Sequence, residues 1–73
     1  MVVNGWVLMA ANGTPAQVGG TYLDFRGDPS VLTGGAPPHK SSSTGKVYLT
    51  SPFGGNAREF FPSVVGLRWE AYE

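Results

Sequence analysis

Seventy-three residues make at most one small domain, and a chain this short buries only about 60% of the surface its unfolded form exposes. Five Lys and Arg balance five Asp and Glu, so the basic excess with which nucleic-acid binders neutralise phosphate is missing. There is no cysteine, which excludes disulfides and thiolate metal sites.

No basic segment leads into an apolar run, and no stretch is long and apolar enough to span a bilayer. The chain is therefore read as cytoplasmic. Residues 1–23 carry no Asp, Glu, Lys or Arg. Eleven Gly and six Pro divide the chain into uninterrupted runs of seven residues at most. Both residues disrupt helix interiors, and an average helix needs about 11 residues. Runs of six or seven suit strands.

In chain order, WVLMAA (6–11) comes first, bracketed by Asn4-Gly5 and Asn12-Gly13, the strongest short turn signals. TYLDFR (21–26) alternates Thr21, Leu23 and Phe25 against Tyr22, Asp24 and Arg26. SVLT (30–33) is a short strand. TGGAPPHKSSSTGK (33–46) reads as a long polar loop. KVYLTS (46–51) alternates Val47 and Leu49 against Lys46, Tyr48 and Thr50. AREFF (57–61) is a sixth candidate strand, stopped by Pro62, which removes a backbone donor. PSVVG (62–66) has room for one 3₁₀ turn. LRWEAY (67–72) has the period of two of a half-buried strand. The pattern predicts a single all-β domain over 1–73, a small SH3-like barrel of five or six short strands. In it Leu67 and Trp69 face the core, Arg68 and Glu70 face out, and EFFPSVVGLRW (59–69) is mainly interior. Alternation lets only one of Phe60 and Phe61 turn inward unless the Pro62 turn folds the other back.

Chemistry-bearing motifs are sparse. STGK (43–46) has the tail of a phosphate-binding loop, but that pattern needs Gly at 40 and Ser or Thr at 47, where this chain has Lys40 and Val47. RGD (26–28) reads as a strand end entering a turn. His39, the only histidine, has no second imidazole or thiolate with which to hold zinc. Ser41, Ser42 and Ser43 lie beside it, but a mobile loop does not supply the held base that a nucleophile needs. Asp24 and Asp28 would need a desolvating pocket to act as an acid–base pair. These readings predict no catalytic residues, no cofactor and no metal, and hence a non-enzymatic protein without a small-molecule substrate. The nine aromatic residues could stack nucleobases, so a small barrel binding single-stranded nucleic acid stays open as an alternative.

From Tyr22 onward the chain resembles a family of small phage-encoded proteins. The matching pieces are DFRGD (24–28), LTGG (32–35), PPHK (37–40), STGKVYL (43–49) and EFFPSVVGLRW (59–69). In size and type it is also similar to the small RNA-polymerase-binding regulators of lytic phages. That resemblance implies a protein in the cytoplasm of a bacterial host that binds bacterial RNA polymerase or an elongation factor. It also implies inhibition of host transcription and antitermination, with no cofactor. A phage accessory or structural protein is the remaining alternative. The uncharged N-terminal segment lies outside the matching pieces. Its apolar residues Val3, Trp6, Leu8 and Met9 are therefore the expected partner-binding residues, since aromatics and Met are enriched at protein interfaces.

Overall fold

The computed structural model describes residues 1–40 and 42–72. Asn4 and Gly5 both take positive φ, 50° and 82°, the backbone that a two-residue hairpin of the favoured twist requires. They join β1 (Val2–Val3) to β2 (Trp6–Ala10), setting Val3 opposite Trp6. On its other side β2 pairs antiparallel with β7 (Leu67–Ala71), which places Leu8 opposite Trp69 and Ala10 opposite Leu67. Sequence-distant strands thus build a three-stranded sheet, β1-β2-β7.

The middle of the chain is an antiparallel meander. β3 (Thr21–Leu23), β4 (Pro29–Ala36), β5 (Lys46–Ser51) and β6 (Gly54–Phe60) pair in chain order as a four-stranded sheet. Between β6 and β7, Pro62–Val65 forms one 3₁₀ turn, closed by Gly66 at φ 71°. The fold is all-β, as the Gly and Pro spacing implies. The two sheets face each other without joining edge to edge, so the barrel is not closed.

Several boundaries differ from the sequence reading: β3 stops at Leu23, β6 starts at Gly54, and β4 is longer at both ends. β4 continues through Thr33, Gly34 and Gly35 to Ala36, so the first four residues of the expected loop over 33–46 are strand. Gly35 marks a close approach instead of a loop. A Cβ on Gly35 would lie 2.9 Å from Cζ2 of Trp69, so the strand admits the indole only where it has no side chain. The register also shifts between Leu32 and Gly34, as at a β-bulge. β1 is a seventh strand, too short to carry a period.

Leu8, Ala16, Leu32, Val47, Leu49, Val65, Leu67 and Trp69 form the core between the sheets, flanked by Met1, Val3, Trp6, Ala10, Tyr22 and Val64. Trp69 binds the two sheets directly, its indole Nε1–H donating to the Lys46 carbonyl at 3.1 Å. The stretch from Glu59 to Trp69 divides. Pro62, Val65, Leu67 and Trp69 are buried and Arg68 is exposed, as alternation predicts. Phe60 and Phe61 are not in the core: both are exposed, Phe61 at 67%. Phe60 lies opposite buried Val47 and so points to the inner side of its sheet. It is 37% exposed and lines a shallow concavity with Val64 of the 3₁₀ turn instead of entering the core.

Candidate protein-interaction site

Trp6 and Leu8 stand two residues apart on β2 and so share its inner face. Leu8 is fully buried, its N–H donating to the Met1 carbonyl and its own carbonyl accepting from Ala16 N–H. It is a core residue, which corrects its assignment to a partner surface. Met9 lies on the opposite face, across from Arg68 and bridged to Pro15. Val3 is half-buried against the core. The four expected residues therefore do not form one patch, because alternation along β2 separates them.

Trp6 alone reaches a concave surface. It starts β2 just after the hairpin turn, beyond the last full core layer. There it lines a cleft of about 440 Å³ with Trp69, Pro38, His39, Lys40 and Ser43. The far wall is formed by Pro38, His39, Lys40 and Ser43, from the segment between β4 and β5. Its geometry is fixed by Gly45, buried at φ 74°, where a Cβ would lie 2.6 Å from Cδ1 of Trp69 and 2.8 Å from the Ala36 carbonyl. Ser43 Oγ accepts from Gly45 N–H at 3.1 Å, so this hydroxyl shapes the loop; Ser41 lies outside the described residues. Among the described residues Lys40 makes no ion pair. The cleft thus sets an indole beside an ammonium that no described carboxylate pairs. Sequence reasoning found Trp6 but not Pro38, His39 and Lys40 beside it. The only signal for these was the PPHK piece, whose position depends on tertiary packing.

A second concavity of about 420 Å³ follows the inner face of the four-stranded sheet where the facing sheet no longer covers it, lined in part by Asp24, Arg26, Asp28, Arg58 and Phe60. Its rim is the turn that contains RGD. Asp24 Oδ1 accepts from the N–H groups of both Arg26 and Asp28 at 2.9 Å, and Gly27 supplies φ 83°. The Arg26 guanidinium lies 3.5 Å from Asp24 and 3.7 Å from Asp28. Arg26 and Asp28 therefore engage their own turn. The Asp28 N–H first, then the Arg26 N–H and its charge, hold the Asp24 carboxyl below the ordinary carboxylate range. Arg58 makes no ion pair among the described residues.

Among the described residues no three of His, Asp and Glu converge as metal ligands, and no helix is long and apolar enough to cross a membrane. No family model, curated protein or solved structure matches the chain.

Proposed function

We propose that this chain is a non-enzymatic protein-binding module that grips a segment of its partner in the Trp6 cleft. The observation that carries the reading is the half-buried Trp6 beside Lys40, which makes no ion pair among the described residues. Tryptophan in a partly desolvated pocket is the side chain most often found at binding hot spots. An ammonium on the rim selects a carboxylate next to the inserted apolar group. The segment that fits is therefore apolar with an adjacent acidic residue.

Resemblance to phage-encoded regulators supports bacterial RNA polymerase, or an elongation factor travelling with it, as the protein that supplies this segment. Inhibition of host transcription and antitermination are the corresponding outcomes. Overall charge neutrality favours a protein partner over a phosphate backbone.

Co-elution with purified polymerase and elongation factors tests the proposal. The expected result is a complex at micromolar concentration, weakened by roughly 30-fold or more in Trp6→Ala and less in Lys40→Glu, with thermal stability largely kept. No complex with either protein, together with salt-steep binding to single-stranded nucleic acid, would overturn it in favour of the nucleic-acid alternative. A large drop in melting temperature for Trp6→Ala would return that residue to the core.

A further inference from the structure

Two of the chain's three asparagines, Asn4 and Asn12, are followed by glycine. A glycine nitrogen has no neighbouring Cβ to crowd it, so it can reach the Cγ of the asparagine before it. Both pairs are exposed, but the fold holds their reacting atoms differently.

At Asn12 those atoms are tied. The side-chain Oδ1 accepts from Thr14 N–H at 3.1 Å and from Thr14 Oγ1 at 2.6 Å. The Gly13 nitrogen donates to the Ala10 carbonyl at 3.0 Å. At Asn4, neither the side-chain amide nor the Gly5 nitrogen has such a tie among the described residues; Gly5 is held at its carbonyl, by Tyr72 N–H at 2.8 Å. The turn is also the looser of the two. β1 has two residues at the free edge of its sheet, with Val2 55% exposed. Such elements open most readily, and the tight turn must relax before Cγ and the Gly5 nitrogen align for attack.

We infer that Asn4 is a site of spontaneous covalent modification, deamidation through a cyclic imide with Gly5, and that the fold protects Asn12 from the same reaction. The Gly5 nitrogen gives up its proton to hydroxide and attacks Cγ of Asn4. The N–Cγ bond forms, the Cγ–Nδ2 bond breaks and ammonia leaves. One water then opens the imide. Opening at the side-chain carbonyl leaves aspartate. Opening at the backbone carbonyl leaves isoaspartate, with the chain running through the former side chain. Nothing is oxidised or reduced, and water is the co-reactant. Either product turns a neutral chain acidic. Isoaspartate also lengthens by a methylene the turn that sets Val3 opposite Trp6, so the register of β1 on β2 is lost beside Trp6. Weaker partner binding by the aged chain rests on the Trp6 cleft being the binding site proposed above; the modification itself does not.

Timed incubation of the full chain in mildly alkaline buffer, folded and in urea, tests the inference. Both sites fall in the tryptic peptide 1–26, whose fragment ions read one against the other, and isoaspartyl methyltransferase labels the isoaspartate. The three hydrogen bonds at Asn12 are each worth roughly 2- to 10-fold in an opening equilibrium. In the folded chain Asn4 is therefore expected to convert about ten-fold or more faster than Asn12. In urea, where both pairs lose their surroundings, the two rates should be similar. Thr14→Val keeps the side-chain shape, removes the hydroxyl donor and should speed Asn12 by about 2- to 10-fold without changing Asn4. No conversion at Asn4 in the folded chain, equal rates there, a faster Asn12, or a slower Asn12 in Thr14→Val would overturn the inference. The last result would mean that Thr14 stabilises the oxyanion of attack instead of shielding the amide. If Thr14→Val does not fold, the wild-type rates in buffer and urea decide alone.

Discussion

The seam between the two sheets and the free flank of β6 are both built from aromatic residues set among glycines, with opposite outcomes. At the seam a Cβ on Gly45 would stand 2.6 Å from Trp69, and one on Gly35 would stand 2.9 Å away. The glycines there make room for an indole that both sheets enclose. On the flank a Cβ on Gly54 or Gly55 would meet nothing within 4 Å, while Phe53, Phe60 and Phe61 lie open. Composition cannot separate the two regions. What separates them is whether a second sheet stands opposite: Trp69 of β7 meets Gly35 of β4 and the Lys46 carbonyl of β5, whereas every residue of β6 is exposed.

That contrast can be broken by substitution, and the largest effect is expected at the seam. Trp69→Ala removes the ring that joins the sheets and should cost about 3–5 kcal/mol, much of the roughly 5–15 kcal/mol that holds a domain together. The variant should be unfolded or barely folded by circular dichroism; melting near wild type would show that the seam does not carry the fold. Next comes a matched pair of glycines at positive φ. Gly45→Ala combines left-handed strain with a clash against Trp69 and backbone, about 2–4 kcal/mol in all. Gly55→Ala carries strain alone, about 1–2 kcal/mol. Urea denaturation should rank them in that order, and equal losses would erase the distinction between crowded and open glycine.

A smaller effect is expected at the Asp24 turn. Its carboxyl is held below the ordinary range in the folded chain. The stability this contributes is fully present above the unfolded value, near 3.8, and is lost as pH falls through the lower folded value. The melting temperature of Asp24→Asn should lie below that of wild type at neutral pH, and the gap should narrow on acidification below about pH 4. A gap that widened in acid would contradict the assigned direction. Smallest of all is Phe61→Ser in dilute solution, where loss of an exposed ring should change stability by no more than about 0.5 kcal/mol. A larger loss would mean that Phe61 packs inside the monomer and that the flank is less open than described.

Local chemistry made part of this architecture legible in advance. The Asn4-Gly5 hairpin follows from two residues that tolerate positive φ. β5 matches its alternation at both ends because Val47 and Leu49 are buried while their neighbours are not. Pro62 and Gly66 bound the 3₁₀ turn by simple steric rules. What escaped depends on distant residues. Gly35 resembles part of a loop until Trp69 is placed across it. The stop of TYLDFR at Leu23 is instead local, since Asp24 accepts its own turn's N–H groups. The exposure of Phe60 was hidden for the same reason as the role of Gly35: period-two alternation reports which side of a sheet a residue faces, not whether anything lies opposite. Trp6 was identifiable as a candidate by residue type, but its separation from Met9 and the burial of Leu8 needed the pairing of β2 with β7.

The pairing of β2 with β7 also bears on how the chain acquires its shape. β3 to β6 are joined by connections within one meander, so each ladder closes a short loop. The β2–β7 ladder must bring together strands from near opposite ends of the chain, at an entropic cost that rises with the logarithm of the length enclosed. The meander is therefore expected to assemble first, with β7 settling onto β2 after the rate-limiting barrier. In kinetic terms, truncating Leu32 or Leu49 should mainly slow folding, with φ-values well above those of the β7 core residues. Truncating Leu67 should leave the folding rate nearly unchanged and speed unfolding. The residues that contribute most to the equilibrium seam would then act as the latch that sets how long the folded chain persists.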